Sequence, residues 1–322
     1  MTTSLTTSEH RIRDWLLDLL HAQWRALGVP FSAEQPARAE EVIDPEALLW
    51  CSLEFFPTQP RFAEQVLAWW EDNSQTILLP RIRKFAKGDP RASIWRVLDP
   101  KWKGGKAGPT APCYGQSSVD ELLEFCARLT KQHQQQHDQQ RRHHQQQSQR
   151  QLRQQRHQPG EAARTNATVV PRARDLLGTD ARHFILVYLL ANRGGAKLRS
   201  VATWSGQSYR NIAKVAQRWE SANVLALDHG FARLKEPGVW ESLLDIKPPR
   251  IVLLNWPRFY DAAVGLLRSI EKTRSKSLPP DGPVVSGLLR EASAEAEASI
   301  ETEPSTGSAT IQDFRLLLTN LR

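Results

Sequence analysis

Apolar residues recur at three- and four-residue steps through much of this chain, the repeat of α-helices with one buried face. Ile12, Trp15, Leu16, Leu19 and Leu20 line one face of a first helix, and Gly28-Val29-Pro30 ends it. In "DPEALLWCSLEFF" Asp44 can cap a second helix and Pro45 suits its first position, where the missing N–H costs nothing; Pro57 stops it. "PRFAEQVLAWWEDN" predicts a third helix, and "TILLPRIRKFAKG" begins a fourth that ends at Gly88. Residues 1–103 therefore read as an N-terminal helical domain.

The pattern then breaks. Residues 104–118, "GGKAGPTAPCYGQSS", carry the Gly, Pro and Ser of a linker. Val119, Leu122, Leu123, Cys126 and Leu129 restore an amphipathic helix, which runs into a tract over 131–158 holding 14 Gln, 5 His and 5 Arg, with Leu152 its single aliphatic residue. With no apolar face to bury, the tract is a solvated extension or disordered, up to Pro159-Gly160. His133 and His137, four residues apart and near Cys126, invite a metal reading. A bound metal needs ligands fixed by surrounding groups, which this composition does not offer, so a low-complexity insertion is preferred and no metal is expected. Residues 104–164 are read as linker, amphipathic helix and Gln/His-rich tract.

Residues 165–247 regain apolar order. Thr179 or Asp180 can cap a helix carrying Phe184, Ile185, Tyr188 and Leu189, apolar nearly all round and hence buried by neighbours; Gly194-Gly195 ends it. A short helix with Leu198, Val201 and Ala202 follows, then the turn Ser205-Gly206-Gln207, then a longer helix from about Ser208 to Ala222. Two helices that cross steeply over so short a turn need a small residue at the contact, a Gly in the turn and apolar residues inside the second helix. Ala202, Gly206, Ile212 and Val215 meet these needs, as in a helix-turn-helix. "NVLALD", His229-Gly230 and "FARLKE" then predict two short strands around a tight turn, with Ala232 and Leu234 alternating with Arg233 and Lys235. Helices followed by such a hairpin make a winged helix-turn-helix. The expected fold is therefore mainly α, an N-terminal helical domain and a winged helix-turn-helix domain joined by the Gln/His-rich segment.

On the long helix Ser208, Ile212, Val215, Ala216 and Trp219 share one face, while Arg210, Lys214, Gln217 and Ser221 lie opposite, flanked by Gln207, Asn211 and Arg218. Arg can donate two hydrogen bonds to guanine, Asn and Gln can pair with adenine, and Lys neutralises phosphate. A solvated helix face is the competing explanation; against it, the face holds no acid except Glu220 on its margin, and the hairpin adds Arg233 and Lys235. The candidate DNA-binding residues are Gln207, Ser208, Arg210, Asn211, Lys214, Gln217, Arg218, Arg233 and Lys235.

Beyond the hairpin, residues 248–280 hold a short apolar run and an amphipathic helix with Phe259, Ala263, Leu266, Leu267 and Ile270, suited either to packing on its own domain or to forming a homodimer. Residues 281–322 read as an acidic flexible tail, in which "IQDFRLLLTNL" could dock as a last helix.

Charge sharpens this picture. The chain of 322 residues has 40% hydrophobic residues, 11 Trp, a net charge of +8 and a pI near 9.6, a balance that suits a polyanionic partner. Residues 1–79 hold 5 Arg and no Lys against 12 acids, whereas residues 80–106 hold 9 basic residues against Asp89 and Asp99. Three widely spaced cysteines, Cys51, Cys113 and Cys126, suit a reducing compartment, and with no secretion-type start or membrane-length apolar run the expected location is the cytoplasm. The sequence shows no Gly-rich phosphate loop, HExxH or recognisable nucleophile, and Asp14 and Asp18 read as a solvated helix face, so neither enzyme activity nor a cofactor is expected.

The stretches "DPEALLWCSLEFFPTQPRFAEQVLAWW" and "ARHFILVYLLANRGGAKLRSVATWSGQSYRNIAKVAQRWESANVL" together resemble a group of bacterial winged-helix proteins encoded beside nucleotidyltransferase genes in toxin–antitoxin and phage-defence loci. The resemblance implies a transcriptional regulator that binds double-stranded DNA, represses its own operon with an antitoxin-like role, reads bases through Gln207, Arg210, Asn211 and Lys214, and has a nucleotidyltransferase-type protein partner. The Gln/His tract departs from that group. The alternative is an adaptor of a defence complex that uses the winged helix only as a protein-binding scaffold.

Overall fold

The computed structural model describes residues 5–31, 41–89, 91–92, 94–95, 165–247, 251–275, 283–301 and 308–319. The expected linker helix, the Gln/His tract, Cys113 and Cys126 lie outside the described residues. The chain is mainly helical, with one small three-stranded antiparallel sheet. No helix among the described residues is long and apolar enough to cross a membrane.

The N-terminal helices are α1 (Leu5–Ala26), α2 (Pro45–Ser52), α3 (Pro60–Asn73) and α4 (Leu79–Phe85). Asp44 caps α2 as its sequence suggests, its Oδ1 accepting the Ala47 N–H at 3.1 Å. Every residue of α2 is buried, so this short helix forms the centre of the first core, against Ile12, Leu16, Leu20 and Trp24 of α1.

Chain order does not delimit that core. Helix α10 (Trp256–Ser275) inserts Phe259, Tyr260, Ala263, Leu267 and Ile270 into it, so the apolar face that could have served a homodimer is covered within its own chain. The acidic tail expected to be flexible instead forms α11 (Pro283–Glu301) and α12 (Ala309–Thr319). Helix α12 docks through Ile311, Phe314 and Leu318, with Phe314 stacked 5.4 Å from Trp15 and edge-on to Phe259 at 5.3 Å. Glu41 holds its start, accepting from the Ser308 hydroxyl at 2.6 Å and the Thr310 N–H at 3.1 Å. Small residues of α11, Ala296 and Ser293, are buried, which lets an acidic, alanine-rich helix lie close against its neighbours.

The second core belongs to α5 (Val169–Leu177), α6 (Ala181–Ala191), α7 (Leu198–Ser205), α8 (Tyr209–Ser221), α9 (Pro237–Leu243) and the strands β1 (Ala196–Lys197), β2 (Leu225–Asp228) and β3 (Phe231–Leu234), ordered β1-β3-β2. Asp180 is the cap of α6, accepting the Arg182 N–H at 2.8 Å. Strand β1, which the sequence pattern did not predict, pairs Ala196 with Ala232 and Lys197 with Phe231.

The two cores meet at buried charges. Glu46 of α2 is wholly buried and receives both guanidinium nitrogens of Arg174 on α5, at 2.7 and 2.8 Å, together with Arg81 of α4 at 2.9 Å. Burial raises the cost of ionising Glu46, but the two cations and their hydrogen bonds win and hold its carboxyl down at about 2. Arg81 also binds Asp44, and Arg174 donates through Nε to Nε2 of the buried His183 at 3.1 Å. Backbone joins the same seam: the Val42 N–H donates to the Val252 carbonyl and the Ile43 N–H to the Ala167 carbonyl, each at 2.9 Å.

Candidate nucleic-acid interface

Helix α7 ends at Gly206, whose left-handed backbone (φ 66°, ψ 13°) turns the chain sharply. Gln207 and Ser208 complete the turn, and the Ser208 hydroxyl caps α8 by accepting the Asn211 N–H at 3.2 Å. Ile212, Ala216 and Trp219 face inward at helical spacing, and Ala202 of α7 is buried opposite them. Of the other residues expected on this inner face, Val215 is only half-buried and Ser208, placed at the cap, is exposed. Trp219 stacks on Trp240 of α9 at 5.9 Å, which braces the far end of α8. This packing fixes the helix from behind and from both ends.

Arg210, Asn211, Lys214, Gln217 and Arg218 are all exposed on the remaining surface of α8, with Gln207 half-exposed at its start. The Asn211 amide donates to the Gln207 side chain at 3.3 Å, so the two amides act as one oriented pair. Ser208 stands apart from the group in role, because its hydroxyl serves the cap.

Strands β2 and β3 alternate as the sequence pattern requires: Leu225, Ala232 and Leu234 face the core, and Arg233 faces out. His229 and Gly230, both at positive φ (45° and 80°), form the two-residue loop of a tight hairpin. Lys235 lies at the foot of the hairpin rather than along it, and its ammonium bonds the Asn223 side chain.

Three further residues join the surface that the sequence pattern did not single out. Tyr209, at the start of α8, is 48% exposed and lies beside the hairpin loop, its hydroxyl 3.6 Å from where a Cβ on Gly230 would sit. Arg199 of α7 lies over the Tyr209 ring at 6.0 Å, and Lys197 is exposed on β1. Tyr209 comes beside Gly230 because the hairpin folds back to the start of α8, a proximity that no local pattern encodes.

The surface so assembled is a helix carrying three cations, Arg210, Lys214 and Arg218, beside the amides of Gln207, Asn211 and Gln217, with an adjacent hairpin carrying Arg233. No known family model, curated protein or solved structure matches this chain.

Proposed function

We propose that residues 165–247 form a winged helix-turn-helix domain that binds double-stranded DNA, with α8 in the major groove and the β2–β3 hairpin as the wing. On this reading the protein is a non-enzymatic, sequence-specific transcriptional regulator that represses its own operon, has an antitoxin-like role and has a nucleotidyltransferase-type protein partner. The observation that carries the proposal is the exposed row Arg210, Asn211, Lys214 and Gln217 on a helix whose other faces are fixed by packing. Such a row matches the donors and acceptors of base edges and phosphates. An adaptor that used this domain only as a scaffold is favoured by a reading face covered within the chain; Arg210 and Lys214 are exposed instead.

The test is binding of the full chain to a duplex from upstream of its own gene and to a scrambled duplex of equal length, across a salt series. Lys214→Ala and Arg233→Ala are expected to weaken both complexes alike and to lower the salt slope by about one unit each, because each removes one phosphate contact. Folded protein that binds neither duplex at low salt would replace this reading with the adaptor.

A further inference from the structure

The basic block over residues 80–106 has no role in the surface described so far, although it holds 9 Lys and Arg against two acids. Its members differ in what they do. Arg81 is buried against Asp44 and Glu46, and Arg91 is buried against Asp89 at 2.8 Å, so these two cations balance internal carboxylates. Lys84 and Lys87, by contrast, are exposed. Asp89, the acid nearest to them in sequence, directs its carboxylate to Arg91 and Arg268.

Position gives these lysines a meaning. The Lys84 ammonium donates to the carbonyl of Gly206 at 2.7 Å, and Arg81 Nε is 3.6 Å from where a Cβ on Gly206 would lie. Helix α4 therefore lies alongside the turn that leads into α8. An ammonium has three N–H donors and the carbonyl uses one, so two remain for oxygens outside the protein. The Lys87 N–H bonds the Lys84 carbonyl at 3.3 Å, which keeps Lys87 on the winding that continues from α4. Helix α4 is also tied to α5 of the second core, since Arg81 and Arg174 share Glu46.

We propose that the DNA-binding surface continues from α8 across the α7–α8 turn onto α4, where Lys84 and Lys87 contact backbone phosphates that flank the base pairs facing α8. This rests on the DNA-binding reading above and extends it to a second region of the chain. Contacts of this kind fix register and orientation without selecting sequence. The footprint is accordingly longer than a lone winged helix would give.

The test uses the full chain with random-sequence duplexes of about 10 and about 30 base pairs, a single helical turn against roughly three. Lys87→Ala is expected to weaken binding to the long duplex several-fold and to lower its salt slope by about one, with Lys87→Glu stronger in the same direction. On the short duplex both variants should match wild type, while Lys214→Ala weakens binding to either. If Lys87→Ala and Lys87→Glu, both folded by circular dichroism, leave the long duplex unaffected while Lys214→Ala still weakens it, DNA binding stands and the extension onto α4 is wrong. If wild type binds neither duplex at low salt, the DNA-binding reading falls and takes the extension with it.

Discussion

Gly195 shows how much one position can fix. Its backbone lies at φ +99°, and a Cβ there would come within 2.5 Å of the Phe231 ring and 2.7 Å of the Ala232 carbonyl oxygen. The ring could turn aside; the carbonyl belongs to β3 and cannot. Gly195→Ala is therefore expected to cost about 1–3 kcal/mol in urea denaturation, from backbone strain and the contact together. Gly194→Ala is the matched control, since a Cβ at Gly194 meets nothing within 4 Å. Equal midpoints for the two variants would show that β1 and β3 are not packed as described. In the sequence Gly194-Gly195 marks only the end of a helix. The close approach that makes Gly195 necessary depends on a strand pairing between residues far apart in the chain, and no local pattern encodes it.

Elements were legible in proportion to the length of their pattern. Helix α8 has strong periodicity, a serine cap and a glycine before it, and three of the five residues on its expected inner face, Ile212, Ala216 and Trp219, are buried, while Val215 is half-buried and Ser208 is exposed at the cap. The β2–β3 hairpin was legible for the same reason, through alternation around His229-Gly230. Strand β1 has two residues, too few to alternate, and it exists because β3 offers an open edge to Ala196 and Lys197. The tail shows the opposite failure. Its Ala, Ser and Glu suggest solvent, yet small side chains such as Ala296 and Ser293 are buried. Composition reports how much apolar area a segment could bury, and it says nothing of a neighbouring helix with room for small residues. "IQDFRLLLTNL" had enough large apolar residues to reveal itself as a docking helix, and α12 is that helix.

At the scale of the whole molecule, the seam between the cores sets the response to acid. His183 is fully buried between them, and burial followed by the charge of Arg174 lowers its pKa from 6.5 to about 3. The folded protein thus keeps a neutral imidazole where the unfolded chain takes up a proton. Its contribution to stability is complete above pH 6.5 and is lost as pH falls towards 3. Glu46, held at about 2 against an ordinary 4.5, adds a loss only below that ordinary value, so the interval from 6.5 to 4.5 separates the two groups. Burial also lowers the His21 pKa below 6.5, so its contribution too is lost as pH falls below 6.5, which makes a difference measurement necessary. His183→Gln keeps an acceptor for Arg174 and does not titrate. Its stability is expected to fall less steeply than that of wild type between pH 6.5 and 4.5, by up to about 1.4 kcal/mol per pH unit. Identical slopes would mean that His183 is protonated without loss of the fold.

Base reading by α8, as proposed, has to be separated from attraction by charge alone. Arg210 and Lys214 sit one turn apart on the same exposed face. A guanidinium can grip guanine at two points, whereas an ammonium acts as a point charge. The most direct measurement is competition binding of the full chain and its Arg210→Ala variant to the upstream duplex and to a set of its single-base-pair substitutions. Arg210→Ala is expected to weaken binding to the upstream duplex by about 1–3 kcal/mol and to erase the preference at one base pair. Unchanged affinity and unchanged preference, in a variant that still binds DNA, would contradict base reading by α8 and remove the roles given to Gln207, Asn211, Lys214 and Gln217.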